Sequence, residues 1–165
     1  RQMCIRDRIP GGRGDGVPAS SQVDFQPGAS LQSAACGPAD SLWLVASSGA
    51  YGFVTALENM AGRNRAGKAF LSLDKDEYPL PLLPVSDLSA EILCVSSDYA
   101  GLIFPLAEIK SLPKGKGVKL MTLAPQAHLQ SLYTHPEGQT LPRPIRKNRL
   151  EICRGKRAGK GRSLR

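Results

Sequence analysis

The chain has 165 residues, 41% of them hydrophobic and 22% charged, with seventeen glycines, thirteen prolines and a formal net charge of +8. That balance excludes a disordered tail, and so much glycine and proline fits short strands joined by tight turns better than long helices. No apolar run approaches the roughly 18 residues of a membrane span and no charged-then-apolar signal opens the chain, so a soluble intracellular protein is expected.

Residues 1 to 8 match nothing later and read as a non-native or disordered stub, leaving 9 to 165 as the domain. A first basic glycine turn, Arg13-Gly14-Asp15-Gly16-Val17, is followed by the turn signal Pro27-Gly28. Leu42 to Ala46 has the length and apolarity of a buried strand, Ser47 to Ala50 turns it back, and Tyr51 to Thr55 is its hairpin partner. A short amphipathic piece, Leu57 to Met60, leads to a second basic turn, Arg63-Asn64-Arg65-Ala66-Gly67-Lys68, which feeds a strand from Ala69 to Leu73. Two connectors, Asp74-Lys75-Asp76-Glu77-Tyr78-Pro79 and Leu82-Leu83-Pro84, lead to the next unit. Being acidic, they are expected to lie away from the face that carries Arg63, Arg65 and Lys68.

The same order then repeats. Ile92 to Ser96 and Gly101 to Pro105 form a second hairpin, Leu106 to Ile109 the amphipathic piece, and Lys114-Gly115-Lys116-Gly117 the third basic turn, with a strand from Val118 to Leu123. Val45 to Val95 and Glu58 to Glu108 are both steps of 50 residues. Leu129 to Thr134 reads as a strand, Pro136, Pro142 and Pro144 break the stretch after it, and Arg157-Ala158-Gly159-Lys160 is the fourth turn. Aligned on Gly16, Gly67, Gly117 and Gly159, the turns are 51, 50 and 42 residues apart. Four strands of about five residues with their turns occupy roughly 40 to 50 residues, one blade of a propeller-like array. The expected fold is all-β, about three four-stranded blades with each unit one blade and the last degenerate, its short spacing marking a lost or reduced hairpin.

A glycine between cations has a physical use, because it takes positive φ freely and its neighbouring N–H groups can cradle an anion. Flanking Arg and Lys add charge that a phosphate oxygen meets first. The candidate duplex-binding residues are Arg13, Arg63, Arg65, Lys68, Lys114, Lys116, Lys119, Lys156, Arg157, Lys160 and Arg162, with Gly16, Gly67, Gly115, Gly117 and Gly159 as turn glycines. A solubilising turn is the plainer alternative, but solubility needs neither a fixed glycine nor a fixed period. Residues 143 to 165 hold ten cations against Glu151 alone, a polarity that points to a polyanion or, alternatively, to a disordered basic tail. Aromatics are 5% and do not interleave with the cations, which argues against stacking on single strands.

Cys4, Cys36, Cys94 and Cys153 form no C-x-x-C pair and have no His at ligand spacing, so no metal site is expected; Cys94 reads as a buried thiol in a strand. His128 and His135 read as turn histidines, and no constellation of catalytic side chains is evident. A protein-interaction propeller that meets an acidic partner stays open as an alternative. An RNA-binding domain is weaker, since no RNA motif is found.

Ala50-Tyr51-Gly52-Phe53-Val54, Arg63 to Ala69, Phe104-Pro105-Leu106 and Leu112 to Gly117, in this order and spacing, resemble the C-terminal domain of the A subunit of bacterial DNA topoisomerase IV. The resemblance runs from about Ile9 to the end and is weakest over residues 129 to 152. The equivalent DNA-wrapping domain of the gyrase A subunit is the alternative, but its box of Gln followed by Arg and glycines is not in this sequence. The resemblance implies a β-pinwheel whose basic rim binds duplex DNA without reading sequence, positioning it for ATP-dependent strand passage. It implies no cofactor in this segment, with ATP and Mg acting in the complete enzyme, and no catalytic tyrosine among Tyr51, Tyr78, Tyr99 and Tyr133. Partners implied are duplex DNA, the rest of the A subunit, a chromosome-organising protein and the ATPase B subunit. The implied location is cytoplasmic and nucleoid-associated, with peripheral contact at the inner membrane left open.

Overall fold

A computed structural model describes residues 2–3, 14–16, 18, 21, 25, 27–62, 67–136, 138 and 140–165. Among these, ten short strands alternate with turns: β1 (Gln2–Met3), β2 (Leu42–Ala46), β3 (Tyr51–Ala56), β4 (Lys68–Ala69), β5 (Leu83–Val85), β6 (Glu91–Ser96), β7 (Ala100–Pro105), β8 (Val118–Lys119), β9 (Leu129–Thr134) and β10 (Arg162–Ser163). A helical turn, α1 (Leu57–Met60), follows the first hairpin, and a 3-10 turn at Leu106–Glu108 follows the second. Among the described residues no helix is long and apolar enough to cross a membrane.

The hairpins form because each strand is a nearly continuous apolar run buried on both faces and a tight turn closes each pair. In the first turn Ala50 N–H donates to Ser47 O at 3.0 Å, and in the second Tyr99 N–H donates to Ser96 O at 2.9 Å. Ala50 and Tyr99 adopt the same left-handed conformation, φ 61° and 62°. The Ser96 hydroxyl also bonds the Asp98 carboxylate and accepts from Ala100 N–H at 3.1 Å, which pins the second turn.

Each hairpin becomes the middle of a four-stranded antiparallel sheet, in the orders β5-β2-β3-β8 and β10-β7-β6-β9, while β1 pairs with β4. The expectation of one unit per blade is therefore corrected. β8 lies in the second unit but pairs with β3 of the first, Tyr51 opposite Lys119, and β10 likewise pairs with β7, Ala100 opposite Ser163. The strands after the third and fourth basic turns thus complete the preceding blade, because two residues gain ladder partners only at an edge that already exists.

The 50-residue step is corrected as well. Ala50 and Tyr99, equivalent by conformation, are 49 residues apart. Val45 packs with Phe53, Met60, Phe70 and Leu71 on one face of the first blade, whereas Val95 packs with Leu93, Ile103 and Leu164 on the opposite face of the second. A one-residue slip in a strand exchanges its two faces.

Between the blades lies the main core, where Leu44, Val54 and Val85 of the first sheet meet Ile92, Phe104 and Leu129 of the second. Side chains so deeply buried contribute about 1.5–3 kcal/mol each. Cys94 is fully buried here in β6, as its strand context predicts, and burial pushes its thiol pKa well up. The outer face of the second blade, Leu93, Val95 and Ile103, is covered by Leu150, Cys153 and Leu164. Leu150 and Cys153 come from 3-10 turns at Lys147–Arg149 and Glu151–Cys153 and the residue that joins them. A folded cap therefore stands where a third hairpin would be, and the basic segment is no disordered tail.

Candidate nucleic-acid interface

The third and fourth basic turns each rest on the strand that follows the turn before. Gly115 N–H donates to Phe70 O at 2.9 Å, and Ser72 N–H donates to Gly115 O at 3.0 Å. One unit later, Ala158 N–H donates to Leu120 O and Thr122 N–H to Gly159 O, both at 2.8 Å. The Thr122 hydroxyl adds a bond to Ala158 O at 2.8 Å. The third turn is so bonded to the strand that follows the second, and the fourth to the strand that follows the third, a row carried by backbone hydrogen bonds.

The glycines of that row have different reasons to be glycine. Gly117 has φ 87°, and a Cβ there would stand 2.2 Å from Gly52 O, because it crosses the start of β3. Gly16, Gly67 and Gly115 are also left-handed, at φ 76°, 76° and 128°. Gly159 is not among them: the left-handed residue of the fourth turn is Ala158, φ 65°. Gly161 precedes β10 as Gly117 precedes β8, so alignment on Gly159 misplaced the fourth copy.

The candidate cations divide into three groups. Arg13, Arg63 and Arg65 lie outside the described residues. Lys68, Lys114, Lys156, Lys160 and Arg162 are exposed, and of these Lys68 donates from Nζ to Asn59 O at 2.8 Å. Lys116, Lys119 and Arg157 are half-buried and bound into the body. Arg157 donates from its guanidinium to Lys119 O at 2.7 Å, its N–H donates to Glu108 Oε2 at 3.1 Å, and its Nε is buried with no partner among the described residues.

Lys116 pairs with Asp74 and sits 4.3 Å from the centre of the Tyr51 ring. The Asp74 bond, aided by Glu77 and Tyr51, raises the Lys116 pKa. One acidic connector thus meets the third basic turn, while Arg63 and Arg65, whose face the connectors are expected to avoid, lie outside the described residues. The strand against which Gly115 is bonded runs straight into Asp74, so connectivity delivers a carboxylate to the row.

Sequence reasoning counted the charge of residues 143 to 165 without seeing how it is apportioned. Arg154 pairs with Glu91 and, through Nε at 2.9 Å, with Glu151; these carboxylates raise its pKa. The three-residue spacing of Glu151 and Arg154 was the available signal. His128 is exposed at a turn, edge-on to Tyr78 with ring centres 5.9 Å apart. Among the described residues no group of His, Cys, Asp and Glu could hold a metal ion.

No family model matches the chain. It is 40% identical over 120 residues to the DNA topoisomerase 4 A subunit of Neisseria gonorrhoeae, covering 70% of this chain and 16% of that one. To the DNA topoisomerase 4 A subunit of Escherichia coli K12 it is 30% identical over 151 residues, covering 87% and 20%. The chain thus spans about a fifth or less of the length of these curated relatives. Among solved structures, the E. coli ParC C-terminal domain matches with a TM-score of 0.80 at 28% identity, over 93% of this chain and 67% of that one. The DNA gyrase A C-terminal domain matches with a TM-score of 0.69 at 13% identity, over 87% and 51%, a likeness of fold alone.

Proposed function

The chain belongs with the C-terminal β-pinwheel domains of the bacterial DNA topoisomerase IV A subunit, and from that premise we propose that it binds duplex DNA through phosphates. The observation that carries this reading is the row in which the third and fourth basic turns are hydrogen-bonded to the strands that follow the second and third. Recurring cations on a hydrogen-bonded support match a line of phosphates, whose contacts position a duplex without reading its sequence.

Within the row the roles differ. Lys68, Lys114, Lys156, Lys160 and Arg162 are the contacting groups, with Arg13, Arg63 and Arg65 as further members. Lys116 and Arg157 hold the turns to the body, and left-handed Gly67 and Gly115 let the backbone come close to a phosphate. In the complete enzyme the domain would hold a duplex segment while the ATPase subunit, with ATP and Mg, works with the rest of the A subunit in strand passage.

Salt dependence tests this directly. With about six phosphates contacted, log affinity should fall against log salt with a slope near −5, and Lys114→Gln/Lys160→Gln should flatten it by about 1.8. A slope unchanged in that variant would remove the turns from the interface.

A further inference from the structure

We infer that the cap beyond the second blade is a second duplex-binding surface, which prolongs the phosphate path past the row of turns; the inference rests on the DNA-binding reading above. The cap is rigid around β10. Arg146 N–H donates to Leu164 O at 3.0 Å, and Arg149 Nε donates to Ser163 O at 3.3 Å. The Cys153 sulfur lies within hydrogen-bond reach of Arg149 O at 3.3 Å and of Arg162 O at 3.6 Å, between which its single S–H is shared. Beneath them Leu150, Cys153 and Leu164 are buried on the blade. Arg146, Arg149, Arg162 and Arg165 are thereby gathered about one short strand, Arg165 lying over the Tyr99 ring at 4.3 Å.

The distribution of acids distinguishes this surface from the turns. Glu91 and Glu151 are both drawn to Arg154, and Asp98, which faces Arg165, is bonded to the Ser96 hydroxyl. In the turns, by contrast, Asp74 pairs with Lys116 and Glu108 accepts from the Arg157 backbone. Apart from Lys147, the cations named at the cap are arginines, whose planar fork binds phosphate oxygens in pairs, while the exposed turn cations from Lys68 to Lys160 are lysines. Arg162 follows the fourth turn by two residues, so a duplex laid along the turns runs onto the cap without a gap in positive charge.

The test compares two variants of the full chain on a duplex of roughly 40 base pairs, long enough to cover both surfaces. Arg146→Gln/Arg165→Gln alters the cap and Lys114→Gln/Lys160→Gln alters the turns, with thermal melts to verify the fold. The cap variant should flatten the salt slope by about 1.8 and lose hydroxyl-radical protection at one end of the footprint, whereas the turn variant keeps that end protected. Should the double cap variant melt early, Arg146→Gln alone, whose side chain makes no hydrogen bond among the described residues, should flatten the slope by about 0.9. A folded cap variant with wild-type slope and footprint overturns the inference and leaves the turns standing. A turn variant without effect, beside a cap variant that loses the end of the footprint, supports the cap and overturns the turns.

Discussion

At Gly117 two demands coincide: a left-handed φ of 87° and a backbone crossing that leaves 2.2 Å between a would-be Cβ and Gly52 O. The obstacle is main chain, which has no rotamer to yield. Gly117→Ala should therefore cost on the order of 3 kcal/mol or more, read as a lower urea midpoint with an unchanged slope. Asp98 works by charge. The bond from the Ser96 hydroxyl, the largest effect, holds its pKa below the ordinary 3.8. The unfolded chain then binds the proton more tightly than the folded one, so the contribution is whole above the ordinary pKa and fades as pH falls through the folded value. Asp98→Asn should lower the melting temperature at neutral pH, and the gap to wild type should close as pH falls below the ordinary 3.8.

Elements that carry their own periodicity were legible. Leu42 to Ala46 and Leu129 to Thr134 were placed to the residue, because a short run of strand length stands between turn or loop residues in each case. β4, β8 and β10 have two residues each, too few for any period, and nothing local says which sheet they join. The step was misread for a related reason. Asp76 and Gln126, in equivalent connector turns at φ 66° and 64°, are 50 residues apart, while the hairpins step by 49 as Ala50 and Tyr99 show. An alignment led by turns is thus one residue out in the strands. At the site, the spacing of basic turns was visible, but the pairing of Lys116 with Asp74 spans 42 residues and depends on the strand exchange. Asp74→Asn should release Lys116 toward phosphate, steepening the salt slope of duplex binding by about 0.9 and tightening binding at low salt.

On the scale of the molecule, the two four-stranded sheets and the cap bury three apolar clusters among the described residues, and the cap allows the outer blade face to be covered without another hairpin. The exchanged strands give this assembly an unusual kind of clasp. A cut after Lys75, exposed in the connector turn, would leave the first hairpin on one fragment and both of its neighbours, β5 and β8, on the other. The severed pieces should stay interlocked through main-chain bonds on either side and elute together from a sizing column until denaturant parts them. A break in the polypeptide would leave the body whole.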